Sequence, residues 1–262
     1  MAMLENPILL PFLRLIVGAF ISQDSLKLYD NLDWQQASSN LTTANFDYPE
    51  YYISQNFHGI KGGYLNAIAP VTYDAVTRFA APPNEIRLRQ KAIESVRDRP
   101  QTILDLGCGT GSSTIMLKKA FPSAKVIGLD ISPYMLVMAQ HKAKKANIAI
   151  DWQQGLAEAS NLADKSFDLI SIAFLFHETP VDISQAILHE CQRLLKSGGQ
   201  MIIIDGNQQR LRHTPWLIDL FREPYSRVYA AGNIDDWLEN ANFTQIQTKP
   251  VGWISQLTTC FK

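Results

Sequence analysis

The chain has few cysteines, almost no net charge and no apolar run long enough to cross a bilayer. Each shortage removes a class of function. Lys and Arg number 24 against 25 Asp and Glu, a formal charge of −1. No basic face for nucleic acid is evident, so no polyanionic partner is expected. The three cysteines, Cys108, Cys191 and Cys260, are odd in number and widely separated. They offer neither a disulfide framework nor a zinc-ligand spacing, so no metal site is expected and the chain suits a reducing cytoplasm. The most apolar stretch, residues 7–21, is interrupted by Pro11 and Arg14. It falls short of the ~20 residues of a spanning helix and lacks the basic start and cleavage site of a secretory leader. It reads as a helix packed on the domain, or as one resting on a membrane or a lipid-like substrate, without stable membrane insertion. No internal repeat or low-complexity tract is present, and nothing in the sequence sets an oligomeric state.

What is present is a core-forming composition. Hydrophobic residues make up 46% and charged residues 19% of 262 positions. That suffices for one sizeable α/β domain with an added lobe. Residues 1–84 are aromatic-rich, with Tyr48, Tyr51, Tyr52, Tyr64 and Tyr73 in quick succession, and Pro82-Pro83-Asn84 punctuates their end. A helical period follows over 85–99, with Asn84 as N-cap and Pro100 as stop. Strands and helices then alternate. Strands are expected at 103–106, 125–130, 148–153, 167–174 and 200–205; helices at 113–121, from Ser132-Pro133 toward Lys145, and at 182–195. A helical stretch over 216–229, a helix at 234–240 and a closing strand pair at 243–249 and 253–259 complete the chain. The near-continuous apolar run of 167–174 marks a strand covered on both faces. The alternation predicts an α/β fold with a Rossmann-like, doubly wound parallel sheet, its last pair antiparallel.

The chemistry concentrates in Thr102-Ile-Leu-Asp-Leu-Gly-Cys-Gly-Thr-Gly111. An apolar strand carries one acid, Asp105, breaks into a turn with Gly107, Gly109 and Gly111, and enters a helix whose first N–H groups lack partners. The spacing is G-x-G-x-G. Ser112 stands where a dinucleotide fingerprint places its last glycine, and no Lys follows as a phosphate cradle requires. An acid at the strand tip repels a pyrophosphate and suits an ammonium, which points to a zwitterionic, cationic nucleoside. Asp130 ends the next strand, about 20 residues on, where a carboxylate accepts both ribose hydroxyls. Ile131 beside it can pack on a base.

At these residues the chain resembles the class I S-adenosylmethionine (SAM)-dependent methyltransferases, and within them the small-molecule group around the ubiquinone- and menaquinone-biosynthesis enzymes. The resemblance implies a seven-stranded sheet with the last strand antiparallel, behind an N-terminal, mainly helical cap at 1–84. It also implies a SAM-binding core at 85–262 with a lid insertion at about 207–233. It assigns the amino-acid end of SAM to Asp105 and the backbone near Gly107. After the third strand, relatives carry an acid next to the glycine that meets adenine. Here that position is Leu156, so adenine falls to backbone of Leu156 and Ala157 or to Glu158. Ala173 and Phe174, ending the fourth strand, would face the methionine moiety, with His177 and Glu178 toward the substrate.

His177 is the candidate general base, its pKa suited to neutral pH; packing and helix capping are the plain alternatives for it and for Glu178. Arg212, His213, Tyr225 and Tyr229 in the insertion, and Tyr51, Tyr52, His58 and Tyr64 in the cap, suggest an aromatic-lined pocket. The function expected is methyl transfer from SAM to a small, hydrophobic metabolite at O, N or C. A non-catalytic SAM-binding protein and an NAD(P)-dependent oxidoreductase are the alternatives.

Overall fold

The computed structural model describes residues 21–80 and 85–262. Most of the apolar N-terminal run and Pro82-Pro83-Asn84 lie outside them. The core is a seven-stranded sheet: β1 (Thr102–Leu106), β2 (Lys125–Asp130), β3 (Asp151–Gln154), β4 (Phe167–Ala173), β5 (Leu195–Gly206), β6 (Thr244–Val251) and β7 (Ser255–Phe261). Their order is β3-β2-β1-β4-β5-β7-β6. Strands β1 to β5 pair in parallel, and β7 runs antiparallel to both β5 and β6. The expected Rossmann-like sheet with one antiparallel strand is therefore present.

The strands lie where burial on both faces favours apolar residues. Leu104, Leu106, Ile127, Leu129, Ile170 and Ile172 pack one way with the helix Val181–Leu194. Ile103, Val126, Leu169, Ile202 and Ile204 pack the other way with the helices Glu85–Glu94 and Ser112–Ala120. Asp168 pins the start of β4 to that of β1. Its Oδ2 accepts from the N–H groups of Gln101 and Thr102 at 2.9 and 2.8 Å, and its Oδ1 accepts from Lys196 Nζ at 2.7 Å. Ser132 caps the helix Pro133–Lys145, accepting from Met135 N at 3.2 Å, with Pro133 opening the first turn as its fixed φ favours.

Three expected elements differ. Strand β5 begins at Leu195 rather than 200, because Leu195 already pairs with Phe167 before the ladder resumes at Leu169 and Gln200. The stretch expected as one helix over 216–229 is two short helices, Pro215–Phe221 and Ser226–Ala231, behind a further short helix Gln208–His213. Arg222 takes a positive φ of 55° and Pro224 follows, so the chain cannot run straight through. The aromatic segment holds a 13-residue helix, Ile68–Ala80, which the sequence reading passed over. Asp74 on that helix bonds Thr110 Oγ1 at 2.6 Å and Lys142 Nζ at 2.7 Å, holding it against the glycine turn.

Candidate functional site

The carboxyl ends of β1, β2 and β4 open onto a cavity of about 670 Å³, counting the space at its mouth. Gly107 and Cys108 each donate a backbone N–H to Leu129 O, at 2.9 and 3.0 Å, which folds the turn back across β2. Gly109 sits at φ +51°, and an added Cβ there would meet only the Tyr73 ring edge at 3.9 Å, so the turn faces open space. Gly111 does something else. A Cβ on it would stand 2.6 Å from the Trp152 ring and 2.9 Å from Ala139, so this glycine lets β3 and a helix pack.

Asp130 lies on the cavity wall with Gly107, Gly109 and Ile131. Its Oδ2 accepts from Gly109 N at 2.7 Å and its Oδ1 from Ser132 N at 2.9 Å. Burial pushes its carboxyl up to about 6, against the pull of those two amides. The opposite wall is aromatic: Tyr51, Tyr52, Tyr64 and Tyr73 from the N-terminal segment, then Phe174, Leu175 and Glu178 after β4. Gly155 and Ala157 border the far end. Nearby, Glu158 Oε1 accepts from Tyr51 Oη at 2.8 Å, while its Oε2 and the Tyr52 hydroxyl are buried without a partner.

Not every expected residue reaches this wall. Asp105 is 1% exposed beneath the turn, accepting from Thr114 Oγ1 at 2.6 Å, and burial raises its pKa. Leu156 and Ala173 also stand off the lining. A carboxylate on β1 points to one side of the sheet, and here that side is packed by the helix bearing Thr114.

A second cavity, about 680 Å³ on the same count, abuts the first. Tyr73, Phe174 and Glu178 line both. Its far side is apolar, from Leu211, Leu217, Ile218 and Phe221 of the insertion and Ile254 before β7. Where the two cavities meet lies a buried polar chain. His177 Nδ1 is 2.5 Å from Asp205 Oδ1, and Asp205 Oδ2 accepts from Phe176 N at 2.8 Å. His177 Nε2 is 4.0 Å from Glu178 Oε1, which accepts from Tyr64 Oη at 2.5 Å. His58 Nε2 lies 3.6 Å from the same oxygen, and His58 Nδ1 lies 2.5 Å from Glu223 Oε1. Burial alone pulls both imidazoles down, but adjacent carboxylates raise His177 to about 9 and His58 to about 10.

His213 is solvent-exposed, and Tyr225 lies off both cavities, its hydroxyl donating to Tyr51 O at 2.7 Å. Asp205 and Glu223, which the sequence reading missed, are part of the chain. Neither belongs to a local motif, although Asp205 ends a strand at the sheet's carboxyl edge, where ligands gather.

Residues 103–199 match the family profile of a methyltransferase domain. The demethylmenaquinone methyltransferase of Thermus thermophilus is 34% identical over 142 residues, covering 54% of this chain and 63% of that protein. Its counterpart in Thermotoga maritima is 31% identical over 136 residues, covering 51% and 56%. The match thus spans less than two thirds of either relative. A SAM dependent methyltransferase from Aquifex aeolicus superposes with a TM-score of 0.57 at 22% identity, covering 74% of this chain and 97% of that one. Phosphoethanolamine N-methyltransferase 2 of Haemonchus contortus, solved with SAM, superposes at 0.62 with 13% identity, covering 82% and 60%. At such identities these two structures share the fold. Family match and topology agree: residues 103–199 carry a methyltransferase domain, on a fold shared with SAM-dependent methyltransferases.

Proposed function

We propose that the chain is an enzyme that binds SAM in the cavity at the glycine turn and methylates a small, hydrophobic metabolite in the adjoining chamber. The shared wall carries this reading. Two cavities that share Tyr73, Phe174 and Glu178 in their linings can bring a methyl donor and its acceptor into contact. The residues present fit SAM. Asp130 keeps free lone pairs for ribose hydroxyls, Gly109 leaves room for the ligand, and the buried Tyr52 hydroxyl and Glu158 Oε2 lack partners. Backbone of Gly107 would hold the amino-acid end, and Gly155 to Ala157, with Glu158, the adenine. We read the N-terminal segment as the cofactor cover and residues 207–233 as the acceptor lid.

When bound, SAM supplies an activated methyl on a sulfonium. The protein's part is alignment and exclusion of water. Tyr64, Tyr73 and Phe174 surround the junction with low-polarity rings. His177, fixed by Asp205, faces the chamber. Near neutral pH its imidazole is protonated, so Nε2–H donates into the chamber and favours ionisation of a hydroxyl placed against it. As pH rises toward 9 it becomes a base. The apolar lid and the relatives named demethylmenaquinone methyltransferases support a quinone-like acceptor with an acidic hydroxyl.

Titration calorimetry with SAM tests the cofactor assignment. Saturable one-to-one binding supports it, and no binding by the folded protein contradicts it. Binding without turnover across hydrophobic hydroxylated acceptors would favour the non-catalytic reading.

A further inference from the structure

We propose that His58, Glu178 and Glu223 bind a divalent transition-metal ion at the floor of the acceptor chamber. The three side chains come from a short 3₁₀ turn in the N-terminal segment, from the turn after β4 and from the lid. Their ligand atoms all lie within 4.8 Å of one another. All three line the chamber, so the open positions of an ion would face an incoming acceptor.

Three observations point to an ion. First, Glu223 has a side chain only 5% exposed, yet neither of its carboxylate oxygens has a hydrogen-bond donor of proper direction. A buried carboxylate in that condition is costly and calls for a cation. Second, neither ring nitrogen of His58 finds a well-directed partner, despite the 2.5 Å approach to Glu223. Third, His58 Nε2 and Glu178 Oε1 stand 3.6 Å apart. That is long for a hydrogen bond, and close to the roughly 3.0–3.5 Å between two donors sharing one ion at about 2.1 Å.

The donor set fixes the class of ion. One imidazole nitrogen and two carboxylates balance a divalent charge, and the mixed N/O set suits Mn²⁺, Fe²⁺ or Zn²⁺ better than Ca²⁺ or Mg²⁺. Tyr64, donating to Glu178 Oε1 at 2.5 Å, orients one ligand from outside. An imidazolium at His58 is the competing arrangement. It neutralises one carboxylate and leaves the other only Tyr64 Oη and, 4.0 Å away, the His177 imidazole that Asp205 already engages.

The site stands whether or not the chain transfers a methyl, and its test does not read activity. The chelator-treated full-length protein is titrated with MnCl₂ and with ZnCl₂ by calorimetry, and the Mn²⁺ complex is examined by pulsed paramagnetic resonance. We expect one saturable site, a nitrogen coupling from one imidazole, and release on adding chelator. Tyr64→Phe should weaken binding by ~10–100-fold while the ion still binds. Glu223→Gln and His58→Gln should abolish binding, with circular dichroism unchanged, and His58→Gln should also remove the nitrogen signal. No saturable binding of either ion by the unsubstituted protein overturns the proposal. So does an Mn²⁺ complex without imidazole coupling, or binding that Glu223→Gln leaves intact.

Discussion

The Tyr64 hydroxyl donates to Glu178 Oε1 at 2.5 Å, tying the N-terminal segment to the turn after β4. Both residues border the cavity at the glycine turn, and Glu178 also borders the second cavity. The same segment is held from below, where Ser132 Oγ donates to Tyr64 O at 2.6 Å. One aromatic residue thus joins the N-terminal segment to a helix start and to the turn after β4. Tyr64→Phe should cost about 1–3 kcal/mol in stability, the value of a donor lost to a buried charged acceptor. Urea denaturation checks this, and an unchanged midpoint would show that Glu178 is satisfied without Tyr64.

Asp130 predicts how SAM binding depends on pH. Burial has lifted its carboxyl to about 6 in the free protein. Above that pH it is an anion that, in the proposed role, accepts from the ribose hydroxyls; below it, a proton occupies one oxygen. Affinity for SAM should fall as pH drops through 6. Asp130→Asn should flatten that profile, and Asp130→Ala should weaken binding by about 1–3 kcal/mol at neutral pH. Calorimetry at several pH values reads both effects.

His177 should matter for turnover and little for cofactor affinity. Its Nδ1 is committed to Asp205 at 2.5 Å, and it lines the second cavity and not the one at the glycine turn. His177→Gln should lower kcat by roughly 10²-fold, the lower range for losing a positioned proton-handling group. Asp205→Asn should lower it as well, because the imidazole loses the carboxylate that orients it and holds it protonated. Steady-state kinetics beside SAM calorimetry separates the two roles.

Asp168 predicts acid sensitivity of the sheet. Burial pushes its carboxyl up, but Lys196, Thr102 and Gln101 outweigh it and hold the group down from 3.8 to about 2. A group depressed on folding stabilises the fold above its unfolded pKa. That contribution is lost as pH falls from 3.8 toward 2. Asp168→Asn should reduce stability by about 1–2 kcal/mol at neutral pH, and reduce the loss on acidification. Its side chain is 30% exposed, so added salt should shrink the effect. Thermal melts from pH 6 down to pH 2 measure the difference.

Much of the frame is legible in sequence because its signals are local. The apolar β1, the turn glycines and the Ser132-Pro133 cap each act within a few residues, and they set the strand–turn–helix corners of the sheet. The roles of particular side chains are less local. Gly111 looks like a ligand-contact glycine and is a packing glycine, because Trp152 comes from β3 some forty positions on. Asp105 looks like a ligand acid and lies under the turn, held by Thr114. The polar chain joining His58, His177, Glu178, Asp205 and Glu223 has no spacing to read. Its members come from separate segments and meet only in the folded chain.

Methyl transfer itself is read with labelled SAM. Purified protein is incubated with SAM carrying a labelled methyl group and a panel of hydrophobic hydroxylated acceptors, and organic-soluble products are counted. Label is expected in a small organic-soluble product, dependent on protein and strongly reduced by His177→Gln. Label that never leaves SAM above the protein-free control, from protein shown to be folded, would contradict it.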